Sequence, residues 1–285
     1  MAAVRFAPAK LNLYLHVVGR RADGYHLLDS LVAFADIGDD VAAESAPALS
    51  LSVSGPQAPK LAGPNSDNLV WRAAELLAAE AGRPPAAALR LLKRLPIASG
   101  IGGGSSDAAA ALRALDELWH LRFDERSLSA IGARLGADVP VCLVARAAWL
   151  AGIGEKIQPA ASLPAVAALL VNPGTALATP AVFNARQGPF SAPARFDAMP
   201  GDAAGLAALL AERRNDLTEA AIGLLPEIGR VLDRLERLEG VLLARMSGSG
   251  ATCFALFATR AGAEAAAHRL AAEEPGWWTA AAALC

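Results

Sequence analysis

The sequence predicts an α+β protein of two domains with a cleft between them. Three observations lead there. At 285 residues the chain is longer than one core usually serves. Its hydrophobic fraction is 54%, much of it alanine and leucine, which fills real cores and favours helices. Its second half reads as a strand, a run of helices, two strands, a helix and a last strand, an α+β order.

The elements follow in turn. Residues 4–18 alternate apolar and polar positions in places and read as one or two strands, ending at Gly19. A polar turn containing Asp23-Gly24 covers 20–26. Residues 27–37 and 41–53 read as further strands, followed by a Pro- and Gly-rich loop over 55–64. Leu69, Ala73, Leu76 and Leu77 recur at helical spacing and predict a helix over 68–81, with Gly82 at its end. Residues 88–92 read as a strand leading to Pro96, then a glycine-rich loop, then helices over 107–118 and 127–135. Residues 139–144 and 147–151 read as buried helix-to-strand material. Beyond them, 165–171 is a strand and 203–211, 217–221 and 227–238 are helices. A strand over 241–245 leads into a second glycine turn at 246–250, then a strand over 252–258, a helix over 261–273 and a last strand over 277–282. The expected boundary lies near 152–158, giving domains 1–154 and 155–285.

Composition excludes several classes. There are 26 basic against 28 acidic residues, a net charge of −2, so a general nucleic-acid binder is not expected. Cys142, Cys253 and Cys285 are scattered and form no C-x-x-C pair, which argues for a reducing compartment and against a disulfide framework. The four histidines do not flank them at zinc-ligand spacing. The first ten residues hold too short an apolar stretch for a signal peptide. Residues 157–185 carry no charge, but Pro159, Pro164, Pro173, Gly174 and Pro180 punctuate them, so a buried strand is expected rather than a membrane span. A cytoplasmic protein, a monomer or weak homodimer without nucleic-acid or membrane partners, is the expectation.

The chemistry centres on Pro96-Ile97-Ala98-Ser99-Gly100-Ile101-Gly102-Gly103-Gly104-Ser105-Ser106-Asp107, with an alanine-rich helix following directly. Glycines bring backbone N–H groups close to a ligand, and a helix start carries roughly half a unit of positive charge. Together they make a phosphate cradle. The plain alternative is a glycine turn capped by serines. The segment is neither a G-x-x-x-x-G-K-[ST] loop nor a G-x-G-x-x-G fingerprint.

This segment resembles the ATP loop of the galactokinase, homoserine kinase, mevalonate kinase and phosphomevalonate kinase (GHMP) superfamily. Ala7-Pro8-Ala9-Lys10-Leu11-Asn12-Leu13 is similar to its first motif, and Ser247-Gly248-Ser249-Gly250-Ala251-Thr252 to its third, in the same order along the chain. Gly19-Arg20-Arg21-Ala22-Asp23-Gly24-Tyr25-His26, Gly136-Ala137-Asp138-Val139-Pro140, Gly152-Ile153-Gly154-Glu155-Lys156 and Asn215-Asp216-Leu217 resemble the branch that phosphorylates a cytidyl diphosphate sugar alcohol on the way to isoprenoid precursors.

The resemblance implies a two-domain kinase with its active site in the cleft, an ATP-binding N-terminal part and a substrate-side C-terminal part, using ATP with Mg²⁺. The Mg²⁺ ligands are not identified by it. Pro96, Gly100, Gly102, Gly103, Gly104, Ser105 and Ser106 would hold the triphosphate, with Gly248 and Thr252 closing over it. Asn68, Lys93 and Asp107 would neighbour the adenine and ribose. Asn68 reads equally as a helix N-cap, and Asp107 as a first-turn carboxylate favoured by the helix dipole. Asp138 would be the base for the acceptor hydroxyl, against a plain reading as an N-cap. Lys10 would steady the γ-phosphate, against a plain reading as a strand lysine whose head reaches water. Tyr25 and Phe183 would stack on the two faces of cytosine with His26 at its edge, and Asn12, Thr179 and Pro180 would line that pocket. Arg20, Arg21, Glu155 and Lys156 read as solvated surface. The rivals are another GHMP kinase, acting on homoserine, mevalonate or a sugar, and a nucleotide-binding protein without catalysis.

Overall fold

The computed structural model describes residues 2–61 and 63–285. Two units emerge from the proximity of Cα atoms. One comprises Met1–Ala9, Gly38–Ile97 and Gly102–Ala145; the other comprises Lys10–Ile37, Ala98–Ile101 and Arg146–Cys285. The units therefore interleave in sequence and do not follow one cut between 154 and 155. The first two strands, β1 (Ala3–Arg20) and β2 (His26–Ser45), each begin in one unit and end in the other.

In the first unit β2 runs antiparallel to β4 (Ala87–Leu92), with Asp40 opposite Leu92 and Ser45 opposite Ala87. The short β3 (Ser50–Ser54) adds to β4 in parallel. Residues 27–53 were expected to break at Gly38. Instead β2 continues through it and stops before Pro47, so residues 46–49 interrupt the expected strand over 41–53. Gly38 allows this continuity because an added Cβ would collide with the carbonyl of Ala7 on β1. Close passage of two backbones, not a turn, is what this glycine serves.

Four α-helices among the described residues complete this unit. α1 (Leu69–Glu80) buries Val70, Ala73, Ala74, Leu77 and Ala78 and packs on α2 (Gly103–Leu118); of the stripe read from the sequence, Ala73 and Leu77 are buried while Leu69 and Leu76 are half-buried. α3 (Glu125–Leu135) begins where Asp124 accepts from the Ser127 N–H. α4 (Val139–Val144) packs on both α2 and α3. The helix expected over 107–118 starts four residues earlier, so Gly103 to Ser106 are its first turn and not loop.

The second unit holds an antiparallel sheet in the order β10-β7-β9-β8, formed by β7 (Ala167–Asn172), β8 (Leu243–Met246), β9 (Cys253–Phe257) and β10 (Trp278–Ala283). Every residue of β7 and β9 is buried. A fully covered strand needs an uncharged sequence, which accounts for much of the uncharged run over 157–185. No helix among the described residues is long and apolar enough to cross a membrane. β5 (Ala148–Gly152) pairs with Leu28 to Val32 of β2, and β6 (Lys156–Pro159), which sequence reading missed, pairs with β5.

Five helices accompany these strands. α5 (Thr179–Ala185) was also missed; it buries only Val182, too little for a periodic signal. α6 (Ala203–Ala211) and α7 (Thr218–Leu224) follow. α8 (Glu227–Glu236) sends Ile228, Val231 and Leu235 into the core beside Leu169, Val171 and Phe257. α9 (Arg260–Glu273) adds Ala263 and Leu270 to the same cluster.

The Gly38 contact gives a direct stability test. Gly38→Ala is expected to destabilise the protein by about 1–3 kcal/mol or more, because backbone and not a flexible side chain meets the new methyl. Gly276→Ala, where nothing lies within 4 Å of an added Cβ, is the control and leaves the melting temperature near the parent value. Equal melting temperatures for the two variants would show that β1 and β2 tolerate a wider spacing.

Candidate active site

The glycine-rich loop passes through both units: its residues 98–101 belong to the second, and from Gly102 onward the chain is in the first. Each part is held by its own unit.

In the second unit, loop residues 98–101 meet the turn 247–252. Gly100 has φ +73°, and a Cβ there would lie 2.5 Å from the Ser247 carbonyl oxygen and 2.7 Å from that of Gly250. Gly248 has φ +54°, and its Cβ would lie 2.7 Å from the Gly100 carbonyl oxygen. Each glycine is thus required twice, by conformation and by contact. Hydrogen bonds lock the pair: Ser247 Oγ donates to Gly100 O at 3.0 Å, and the Thr252 N–H donates to Ser99 O at 3.0 Å. The first motif joins them, since the Lys10 N–H donates to Ile101 O at 2.9 Å and the Asn12 N–H to Ser247 Oγ at 3.1 Å.

Asn215 holds the same turn. Its amide donates to the carbonyls of Met246 and Gly248, both at 2.8 Å. Asn172 Nδ2 donates to Thr252 Oγ1 at 2.9 Å, so the Thr252 hydroxyl serves the turn. Sequence reading quoted Asn215 in a motif without giving it a role and missed Asn172. The only local signal for Asn172 is the Asn-Pro-Gly run, in which the Gly174 N–H donates to Asn172 Oδ1 at 2.8 Å.

Lys10 is 3% exposed, so its head does not reach water and the plain strand-lysine reading fails. Asn12 is buried and donates from Nδ2 to Ser30 Oγ at 2.9 Å. The aromatic arrangement differs from the expected one. His26, not Tyr25, faces Phe183: the rings stack with centroids 5.2 Å apart at 25°. Tyr25 is 60% exposed. Burial, then the nearby Arg20 and Arg186 guanidinium groups, keep the His26 imidazole below its ordinary value. Thr179 and Pro180 open α5, and Thr179 Oγ1 lies 2.8 Å from Ser249 Oγ. Arg20, Arg21, Glu155 and Lys156 are exposed, as expected.

In the first unit, Gly102 has φ +64° and is the N-cap of α2. The first turn of α2 presents unpaired N–H groups and the positive end of the helix dipole. Gly103 does not need a left-handed backbone; its tightest neighbour is Lys93 Nζ, 3.3 Å from an added Cβ. Gly104 has ordinary room, with Leu69 Cδ1 at 3.5 Å. Ser106 is buried and donates from Oγ to Pro8 O at 2.6 Å, a bond that ties α2 to β1. Ser105 is half-buried and Pro96 buried.

Asn68 does cap α1, accepting from the Val70 N–H at 2.9 Å. Asp107 is not in the first turn of α2. It is 3% exposed and accepts from Lys93 Nζ at 2.5 Å, while Asp39 accepts from the same ammonium at 2.6 Å. Asp39 also accepts from the backbone N–H groups of Arg94 at 2.5 Å and Leu95 at 2.9 Å. Asp107 Oδ1 is buried with no hydrogen-bond partner. Asp39 escaped sequence reading because a lone acid in a strand carries no motif.

This triad has an imbalance. Burial is the largest influence on Lys93 and pushes it down, but the two carboxylates together hold it above the ordinary lysine value. Burial pushes Asp107 up to about 7; Lys93 opposes that shift and Asp39 reinforces it. Asp138 stands at the N-cap of α4 but makes no side-chain capping bond, so the plain cap reading does not describe it.

The family model described as GHMP kinases N terminal domain matches residues 68–146, and that described as GHMP kinases C terminal matches 196–276. A 4-diphosphocytidyl-2-C-methyl-D-erythritol kinase from Paramagnetospirillum magneticum is 53% identical over 278 residues, covering 98% of this chain and 97% of its own. One of the same name from Cereibacter sphaeroides is 54% identical over 286 residues, covering 98% of both chains. A crystal structure of 4-(cytidine 5'-diphospho)-2C-methyl-D-erythritol kinase superposes with a TM-score of 0.78 at 37% identity, over 99% of this chain and 98% of that one. A homoserine kinase from Cytophaga hutchinsonii superposes with a TM-score of 0.71 at 15% identity over 99% of this chain and 94% of its own, a likeness of fold.

The Asp107 carboxyl makes stability depend on pH. Its ordinary value is 3.8 and the fold raises it to about 7. Between those values the native state keeps a proton that the unfolded chain has released. Its contribution is therefore full below about pH 4 and is lost as pH climbs through about 7. Asp107→Asn removes this titration. From pH 5 to 8 the melting temperature of the variant is expected to rise relative to the parent. A constant difference, or one moving in favour of the parent, would show that the carboxyl ionises without penalty.

Proposed function

The chain belongs to the GHMP kinase family, and from that premise we propose that it transfers the γ-phosphate of ATP to the 2-hydroxyl of 4-diphosphocytidyl-2-C-methyl-D-erythritol, a step in the non-mevalonate route to isoprenoid precursors. The observation that carries the nucleotide half of this reading is the interlock of Gly100 with Gly248, shortly before the helix whose N-cap is Gly102. Its acceptor half rests on the relatives of the same name and on the aromatic groups at His26 and Phe183.

Roles follow from the chemistry each group retains. The N–H groups of Gly103, Gly104 and Ser105 take triphosphate oxygens at the helix start. Mg²⁺, when bound, would lower the charge on the phosphate oxygens. The half-buried Ser105 hydroxyl, at the start of α2, would be the chain's ligand to it. Lys10 places its ammonium where γ-phosphate charge develops. Asp138 accepts the proton of the acceptor hydroxyl as the new O–P bond forms and the bond to the bridging oxygen breaks, releasing ADP.

The base of the acceptor stacks on Phe183. A pair at 5.2 Å holds no third ring, so His26 leaves its stack and moves to the edge of the pyrimidine, with exposed Tyr25 covering the other face. Asn12, Thr179 and Pro180 line that pocket. Asn68 caps α1 with its oxygen and turns its amide nitrogen to the nucleotide, and Asp107 Oδ1 is the acceptor available there. ATP use and three scattered cysteines with no C-x-x-C pair suit a cytoplasmic enzyme.

Purified protein given ATP, Mg²⁺ and the cytidyl acceptor is expected to release ADP and phosphorylated acceptor. Asp138→Asn, close to isosteric, keeps the melting temperature and lowers turnover by roughly 10²–10⁴-fold. Near-parental turnover would remove Asp138 from the mechanism. Turnover of homoserine or mevalonate in place of the cytidyl compound would overturn the acceptor assignment.

A further inference from the structure

The turn that interlocks with the loop carries a hydroxyl that no step above uses. Ser249 is 6% exposed, and its Oγ lies 2.8 Å from Thr179 Oγ1, its one side-chain hydrogen-bond partner among the described residues. We propose that Ser249 is a positioning residue for the acceptor: it donates its proton to Thr179 Oγ1 and thereby turns the Thr179 proton outward, toward an anionic oxygen of the acceptor diphosphate. This rests on the reading that the chain phosphorylates the cytidyl acceptor.

Burial fixes the direction of the bond. One proton lies between the two oxygens, and either hydroxyl could supply it. Thr179 is exposed and can give its proton to water or a ligand. Ser249 is enclosed. Were Thr179 the donor, the serine proton would be buried without an acceptor, the more costly arrangement. With Ser249 as donor both protons are satisfied. A hydroxyl that accepts a hydrogen bond also donates a stronger one, so Thr179 becomes a better partner for an anion.

The donor is held in place as well as oriented. Asn215 bridges the carbonyls of Met246 and Gly248, just before Ser249, and Asn172 holds Thr252 just after it. On the other side, Thr179 opens the helix that carries Phe183 four residues on, hence on the same face. The Ser249 bond therefore sets the head of the helix whose next turn meets the base.

Steady-state kinetics of the full chain test this, with ATP, Mg²⁺ and the cytidyl acceptor varied separately. Ser249→Ala is expected to raise the acceptor KM about three- to tenfold, with the ATP KM and melting temperature near those of the parent. Thr179→Val is expected to raise the acceptor KM similarly, and Ser249→Ala in the Thr179→Val background to add nothing further. A rise in the ATP KM alone would assign the hydroxyl to the nucleotide and overturn the proposal. So would an undiminished effect in the Thr179→Val background, or no effect on either KM. A parent protein that phosphorylates the cytidyl acceptor while giving any of those results keeps the function and loses this inference. A parent that does not phosphorylate it loses both.

Discussion

Two glycines passing within contact of each other's backbone are the constraint on which the second unit's glycine turn depends. Gly100 and Gly248 both sit at positive φ, and neither has room for a methyl against the other's strand of chain. Their contact lets Ser247 reach Gly100 O and the Thr252 N–H reach Ser99 O. The first motif is added through the bond from the Lys10 N–H to Ile101 O. Three segments distant in sequence thus share one backbone assembly, and the buried lysine is positioned by main chain on both sides of it. The loop leaves this assembly at Ile101 and becomes a helix two residues later. Fixing the loop fixes where that helix begins, and a helix start is where N–H groups are left to meet phosphate.

The first unit solves a different problem, that of holding charge without water. Lys93 is shared between Asp39 and Asp107, two carboxylates on one ammonium. Asp39 is fully satisfied by two backbone N–H groups besides the lysine. Asp107 keeps one oxygen buried and unpartnered. A buried carboxyl left in that state favours its neutral form, and the whole imbalance falls on the residue that lies on α2. Stability alone would be better served by a satisfied partner. The departure sits on α2, whose first turn leaves its N–H groups without partners in the helix.

Much of this was legible in the sequence, and the rest was hidden for definite reasons. Helix α1 shows in its period, and helix α6 and the buried strands β7 and β9 show as apolar runs, because packing decides them. The three motifs were visible because glycine, lysine and serine at fixed spacing have few other uses. The early start of α2 was not visible: Gly-Gly-Ser-Ser has poor helix propensity, and tertiary contact, with Ser106 tied to Pro8, overrides it. β2 continues through Gly38 because of a neighbour on β1 that local pattern does not reveal. The bonds from Ser106 Oγ to Pro8 O and from Asn172 Nδ2 to Thr252 Oγ1 join segments distant in sequence, which only a partner across the chain can reveal. Asp39, Asn172 and the role of Asn215 were missed for the same reason. The placement of His26 on Phe183 in place of Tyr25 reflects which neighbour of a turn points inward, a choice of one residue in a hairpin.

Nucleotide affinity of Gly100→Ala tests the interlock most directly. The account predicts that the variant still melts cooperatively while its affinity for an ATP analogue, measured by calorimetric titration, falls by at least about tenfold, since the methyl must displace the carbonyls of Ser247 and Gly250. An unchanged affinity in a folded variant would contradict it and place the phosphates away from these two glycines.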